Sequence, residues 1–345
     1  MMSHPIKTAV IGYGYSAKTF HIPFLESLAE FEFCAISSRQ HEAIAAQFPR
    51  VTCYDSAEKL IEQSDAELVI ITAPNDVHFS LAKMALEHGK HVVVEKPFVT
   101  RAQDGETLIR IAQEQQLTLS VYHNRRWDHD FLTVKKLIAD GKLGEVKWFE
   151  SHFDRYRPEA RERWRESADV EGSGILYDLA PHLIDQALEL FGMPEAITAQ
   201  CRSMRQVDGA TDFFNVLLDY SDFLVQLHAN PYSPGENLRY KILGTQAKYI
   251  KMGLDPQEER LKAGITALRP AETVIIAEGS LYTEEYLELI PTVQGGYEHY
   301  FVQLADSIRQ GTPPPVTAED ALNAIRLIEL AMESSNSGQT IKVNL

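Results

Sequence analysis

Cysteine is scarce in this sequence: Cys34, Cys53 and Cys201 are scattered through 345 residues without a Cys-x-x-Cys spacing. That pattern suggests neither a disulfide framework nor a cysteine zinc site, and it fits a reducing cytoplasm. Long apolar runs are missing too. Stretches such as Leu68 to Ala73 have the length of a strand, far short of the roughly 18–20 residues of a membrane span. Positive charge is in deficit, with 33 Lys and Arg against 49 Asp and Glu and a net charge of −16. Such a surface argues against nonspecific binding to nucleic acid or an anionic membrane, so an anionic ligand would need a local basic site. Met1-Met2-Ser3-His4-Pro5 lacks the cationic segment and apolar core of a signal peptide, so export is not expected. No internal repeat or low-complexity linker interrupts the chain, and its length suggests two domains.

The first domain is expected over residues 1–122 as a doubly wound α/β unit with a parallel sheet. Ile6 to Ile11 is β-rich and runs directly into Gly12-Tyr13-Gly14-Tyr15-Ser16-Ala17, a GxGxxA sequence that opens a helix reaching about Leu28. Gly12 permits the tight turn, Gly14 lets backbone approach a pyrophosphate, and Ala17 allows close helix–strand packing. The helix N-terminus then offers free N–H groups to phosphate, which makes Tyr15 and Ser16 part of the expected cofactor loop. The second strand ends in Ser37-Ser38-Arg39, with no Asp or Glu at positions 36–39. An acidic residue there would suit the ribose 2′-hydroxyl of NAD. Arg39 and the Ser38 hydroxyl suit a 2′-phosphate, so NADP is the expected cofactor, with NAD possible.

Leu68 to Ala73 reads as a strand covered on both faces, ending at Pro74-Asn75. His91 to Val94 is the next such strand, and Glu95-Lys96-Pro97 closes it. Both motifs should therefore lie at the carboxyl edge of the sheet, where open α/β sheets bind ligands. A lysine there could simply begin a surface loop; its neighbours favour a reactive group.

From residue 123 to 345 the pattern becomes α+β. An alternating strand at Val146 to Asp154, a hairpin of Phe213 to Asp219 and Phe223 to His228, and strands at Ile197 to Ser203, Leu238 to Leu243 and Lys248 to Met252 imply a largely antiparallel open sheet. Asp178, His182 and Asp185 stand at i, i+4 and i+7, one face of a helix that also contains Pro181. Either Asp178 caps a helix with Pro181 in its first turn, or the helix starts earlier and kinks at the proline. An Asp four residues before a His can orient the imidazole, although a lone His on such a face is commonly structural.

Taken together, the GxGxxA loop, Ala73-Pro74-Asn75 with His78, Glu95-Lys96-Pro97 and the Gly172-Ser173-Gly174 segment leading to Asp178 and His182 resemble the glucose-fructose oxidoreductase and inositol dehydrogenase family, Gfo/Idh/MocA. The resemblance covers essentially the whole chain. It implies a Rossmann domain joined to a domain whose open sheet forms a homodimer or homotetramer face. It also implies a catalytic trio of Lys96, Asp178 and His182, cofactor contacts from Ala73, Pro74, Asn75, His78, Glu95 and Lys96, and a Lys96–Pro97 bond that can be cis. Trp164-Arg165 resembles a pair that closes over the cofactor in some relatives. His123-Asn124-Arg125-Arg126-Trp127-Asp128 and Asp154-Arg155-Tyr156-Arg157-Pro158 are similar to the branch of NADP-dependent scyllo-inositol dehydrogenases, which adds His123, Asn124, Arg155 and Tyr156 as substrate candidates alongside Lys96, Asp178 and His182. His123 departs from the glutamine common in that branch.

The activity so implied is hydride transfer between a nicotinamide and a secondary alcohol or ketone of a cyclic polyol or sugar, with no metal required. Either Lys96 or His182 would take the proton, while Asp178 would orient the substrate or the imidazole. The alternatives are an NADPH-dependent reductase of an oxidised sugar or aldehyde, and a dinucleotide-binding regulator without turnover.

Overall fold

Leu68, Val69, Ile70 and Ile71 are all fully buried, as a strand sandwiched between two helical layers must be. The computed structural model that places them describes residues 4–160, 166–167, 169–206, 209–265 and 277–344. In chain order its elements begin with β1 (Ile6–Ile11), a π-wound turn at Ala17–His21, α1 (Ile22–Ser27), β2 (Phe31–Ser37), α2 (His41–Gln47), β3 (Thr52–Tyr54) and α3 (Ala57–Gln63). Next come β4 (Leu68–Ile71), α4 (His78–Glu87), β5 (His91–Val94), α5 (Ala102–Gln115), β6 (Leu119–Val121), α6 (His129–Ala139), β7 (Val146–His152) and α7 (Gly174–Phe191). β8 (Ala196–Arg202), β9 (Phe213–Asp219), β10 (Leu224–Ala229), β11 (Leu238–Gly244), β12 (Lys248–Met252) and α8 (Gln257–Lys262) follow. The chain closes with β13 (Gly279–Tyr282), β14 (Leu287–Ile290), α9 (Glu298–Gln310), α10 (Ala318–Ser337) and β15 (Ile341–Lys342).

The fold forms two compact units, and neither is continuous in sequence. The first gathers the described residues of 1–124, 257–272 and 296–322; the second gathers those of 125–256, 273–295 and 323–345.

In the first unit, six parallel strands among the described residues lie in the order β3-β2-β1-β4-β5-β6, so the strand order reverses between β1 and β4. That is the doubly wound arrangement, and its ligand crevice lies beyond the carboxyl ends at the reversal. Side chains from α9 complete the apolar packing: Phe301 stacks on Phe24 at 5.1 Å and meets Phe31 edge-on at 6.1 Å, while Tyr300 packs against Tyr122 at 4.9 Å. The Ser120 hydroxyl, 2.9 Å from the Tyr300 hydroxyl, donates to the Val316 carbonyl at 2.8 Å. These contacts tie β6 to a segment almost two hundred residues further on.

In the second unit, nine strands among the described residues lie in the order β14-β13-β12-β11-β7-β10-β9-β8-β15. Neighbours are antiparallel except β7 and β10, which run parallel. The hairpin of β9 and β10 turns at Tyr220-Ser221-Asp222, where Ser221 has φ +66° and its N–H donates to Asp219 Oδ1 at 2.8 Å. Alternation along β9 and β10 buries Phe214, Val216, Leu218, Val225, Leu227 and Ala229 on one face. α7 packs against these two strands.

Candidate functional site

Main-chain bonds past the strand ends line up the carboxyl edge of the parallel sheet. The Gly12 N–H donates to Ser37 O at 3.1 Å, Thr72 to Ile11 O at 2.9 Å, and Glu95 to Ile71 O at 3.0 Å. Gly12, Ser38, Ala73 and Lys96 each lie at or one residue beyond those bonds, so the glycine loop and the Glu-Lys-Pro segment share one edge.

The two loop glycines do different things. Gly12 has φ +98°, and a Cβ built on it would lie 2.9 Å from Thr72 Oγ1 and 3.3 Å from Thr72 O. Gly14 has no neighbour within 4 Å of its Cβ position, which is the open cradle a pyrophosphate requires. Gly12→Ala should therefore lower stability by about 1–3 kcal/mol through backbone strain and the Thr72 clash. Gly14→Ala should leave the melting temperature unchanged while raising the KM for the dinucleotide; thermal melts and initial-rate kinetics on the two variants separate the roles.

Ala17 is fully buried, Ser16 is half-buried and Tyr15 is exposed. The Tyr15 hydroxyl donates to Glu258 Oε1 on α8 at 2.9 Å, and partial burial with the nearby carboxylate pushes its pKa up to about 12. Ser38 is half-buried and accepts the Gln40 N–H at 3.1 Å. Arg39 is exposed at the end of β2.

Beneath this edge lies a buried carboxylate. Glu95 Oε1 accepts from the Ser16 hydroxyl and sits 2.8 Å from His21 Nε2, while Oε2 accepts the Lys96 N–H at 3.0 Å. His21 is wholly buried, its ring 4.4 Å from Tyr122. Burial alone would push the Glu95 carboxyl up; His21, Ser16 and Lys96 outweigh it and hold the pKa at about 2. A depressed folded-state pKa contributes stability that is fully present above the unfolded value, near 4.5, and lost as pH falls toward 2. The difference is worth about 3 kcal/mol. Denaturant midpoints should thus fall with pH across that window, and Glu95→Gln should flatten the dependence.

Lys96 is half-buried, and its peptide bond to Pro97 is cis. His78 is fully buried behind both loops, with Nδ1 2.8 Å from Pro97 O and Nε2 3.0 Å from Ala73 O. Burial lowers its pKa, and a neutral ring donates to only one of the two carbonyls. This placement makes His78 a clasp between the Ala73 loop and the Lys96 loop. Pro74 is exposed and Asn75 half-buried at the start of a short 3₁₀ turn. His123 and Asn124, which follow β6, are buried.

In the second unit, the helix carrying Asp178 and His182 starts at Gly174, so Pro181 lies inside it. Of the two helix starts open from sequence, the structure takes the earlier one. Asp178 is half-buried and His182 is buried. Asp185, on the same face, receives a bidentate contact from Arg126, whose Nε and Nη2 donate at 2.9 and 2.6 Å. Gln186 donates to Arg125 O at 2.7 Å and accepts from Arg239 at 2.8 Å and Tyr240 at 2.9 Å. Arg239 is itself wholly buried and also donates to Ser151 Oγ at 2.7 Å. These buried bonds fix the rotation of α7, and with it where Asp178 and His182 point. Arg155 is half-buried and Tyr156 exposed, on the extension of β7. Trp164 and Arg165 lie outside the described residues.

Residues 6–123 match the family domain described as "Oxidoreductase family, NAD-binding Rossmann fold", and residues 135–345 match "Oxidoreductase family, C-terminal alpha/beta domain" of the same family. The chain belongs to the Gfo/Idh/MocA oxidoreductases. The Gfo/Idh/MocA match is reinforced by whole-length relatives. The uncharacterized oxidoreductase YdgJ of Escherichia coli (strain K12) is 43% identical over 99% of both chains. The scyllo-inositol 2-dehydrogenase (NADP(+)) IolW of Bacillus subtilis (strain 168) is 41% identical, covering 97% of this chain and 95% of that one. A solved structure of the oxidoreductase yvaA from Bacillus subtilis superposes with a TM-score of 0.92 at 40% identity, over 99% of each chain. As a Gfo/Idh/MocA oxidoreductase, the protein has an NAD(P)-binding Rossmann domain, the unit that carries Gly12, Gly14 and Lys96. No helix among the described residues is long and apolar enough to cross a membrane.

Proposed function

We propose that the protein reversibly oxidises a secondary alcohol on a cyclic polyol or sugar, using NADP in preference to NAD. The observation that carries this reading is Lys96 at the carboxyl edge of the sheet, beside the glycine cradle and directly after the buried, ionised Glu95. The whole-length likeness to IolW, named as an NADP(+)-dependent scyllo-inositol 2-dehydrogenase, supports the substrate class and the cofactor.

The dinucleotide, when bound, supplies the hydride acceptor at its nicotinamide C4. Gly12, Gly14 and Ser16 would hold the pyrophosphate, Ser38 and Arg39 the 2′-phosphate, and Ala73 to Asn75 the adjoining ribose and ring. Lys96 hydrogen-bonds the substrate oxygen and stabilises the charge that develops on it as hydride leaves carbon. His182 accepts the hydroxyl proton, and Asp178 orients the substrate or the imidazole. Arg155 and Tyr156 contribute substrate contacts from the second unit, with His123 and Asn124 supporting from the end of β6. We place the protein in the cytoplasm, as free thiols at Cys34, Cys53 and Cys201 allow, and assemble it as a homodimer or homotetramer through the nine-stranded sheet.

A spectrophotometric screen of inositols and aldoses with NAD and NADP in parallel tests the proposal. Arg39→Ala should raise the KM for NADP by about 10–100-fold, the worth of one charge-assisted contact, and leave that for NAD almost unchanged. Equal or better activity of the unaltered protein with NAD would sink the assignment of Arg39.

A further inference from the structure

A second cluster of chemically capable side chains lies in the second unit, and the oxidoreductase reading does not use it. β7 and β10 run parallel with His152 level with His228. Alternation places Glu150 and His152 on the face of the sheet opposite Phe149 and Ser151, and His228 on the face opposite Leu227 and Ala229. Asp154 lies two residues past His152, its N–H donating to Asn237 Oδ1 at 2.9 Å. One of its carboxylate oxygens is 3.2 Å from His152 Nδ1; the other is 2.8 Å from His228 Nδ1. Ligand atoms of the three residues all lie within 4.8 Å of one another.

Two carboxylates flank the His152 ring. Its Nε2 is 3.3 Å from Glu150 Oε2, and Glu150 is anchored by Trp148 Nε1 at 2.6 Å and Lys241 Nζ at 2.9 Å. With Nε2–H donating to Glu150, the neutral ring presents its Nδ1 lone pair on the side of Asp154, the form a metal ligand takes. A lone pair facing a carboxylate is repulsive unless something positive lies between them: a second ring proton or a metal ion. The 3.2 Å gap matches two neighbouring ligands of a tetrahedral ion with bonds of about 2.0–2.1 Å, and the 2.8 Å gap from Asp154 to His228 would open by about 0.5 Å to admit one.

We propose that His152 Nδ1, the Asp154 carboxylate and His228 Nδ1 bind a divalent transition metal of the zinc class. Two imidazoles and one carboxylate suit zinc, cobalt or nickel and disfavour magnesium and calcium, which take oxygen ligands. Glu150 behind His152 is the outer carboxylate that orients a metal-binding histidine, and the Asn230 N–H, 3.1 Å from Asp154 Oδ1, steadies the third ligand. Three protein ligands leave a fourth position for water or a ligand atom. The metal would pin the ends of β7 and β10 together at the point where the chain continues into Arg155 and Tyr156.

The test is isothermal titration of tag-free, chelator-treated protein with zinc chloride at neutral pH, with magnesium chloride in a parallel run. One zinc per chain is expected, with no magnesium binding. His228→Gln and His152→Gln keep an amide that can donate to Asp154 but remove the imidazole ligand, and each should weaken zinc by roughly tenfold or more while circular dichroism confirms the fold. Cobalt loading of the unaltered protein should give the intense visible bands of a four-coordinate ion. Absence of zinc binding by the unaltered protein overturns the proposal, as does unchanged affinity in the double glutamine variant or a cobalt spectrum with only weak six-coordinate bands. Each readout is independent of turnover, so the failure of this site leaves the dehydrogenase reading untouched.

Discussion

Lys96→Met should lower kcat by a factor of about 10²–10³ while leaving the dissociation constant for NADPH, followed by nicotinamide fluorescence, within a few-fold of the original. Methionine keeps the length and apolar stem of the side chain and removes only its charge and donors. The backbone at this position is held independently of the ammonium group: its N–H donates to Glu95, and the carbonyl of the next residue, Pro97, is clasped by His78. A large loss of turnover would therefore report the missing ammonium group at the reacting oxygen, not a collapsed loop. If kcat is unchanged, Lys96 is only the first residue of a surface loop.

His182→Ala should lower turnover by about 10²–10⁴, the usual worth of a positioned acid or base, again with NADPH binding preserved. α7 should tolerate the change, because its orientation rests on Asp185 with Arg126 and on Gln186 with Arg239 and Tyr240, none of which involves the imidazole. The double variant Lys96→Met/His182→Ala distinguishes two mechanisms. If the residues act on the same step, its loss should be far smaller than the product of the single losses. Independent, multiplying losses would separate charge stabilisation by one from proton transfer by the other.

How much of this was legible in the sequence depended on distance along the chain. The glycine loop, the apolar strands ending at Pro74 and at Glu95, and the hairpin turning at Tyr220-Ser221-Asp222 all announce themselves through neighbouring residues. The i, i+4 spacing of Asp178 and His182 is equally local. What stayed hidden depends on partners far away. His21 meets Glu95 across 74 positions and Arg126 meets Asp185 across 59, and no periodicity links them. β14 gave little signal because Leu287–Ile290 is only four residues long, too short for one apolar–polar alternation to stand out. The parallel pairing of β7 with β10 was also invisible, since a period of two reveals which face a residue takes but not the direction of the neighbouring strand. That pairing brings His152 level with His228, so the proposed metal site could only be found in three dimensions.

The dispersal of the first unit along the chain sets an order of events during synthesis. The six parallel strands are complete in sequence by residue 121, yet Tyr300 and Phe301 of α9 and the Val316 carbonyl are then still unmade. Until they emerge, Phe24 and Phe31 lack the Phe301 ring, Tyr122 lacks the Tyr300 ring, and Ser120 lacks both its hydroxyl neighbour and its carbonyl acceptor. The nascent cofactor half therefore waits, with apolar surface uncovered, until residue 316 has been translated.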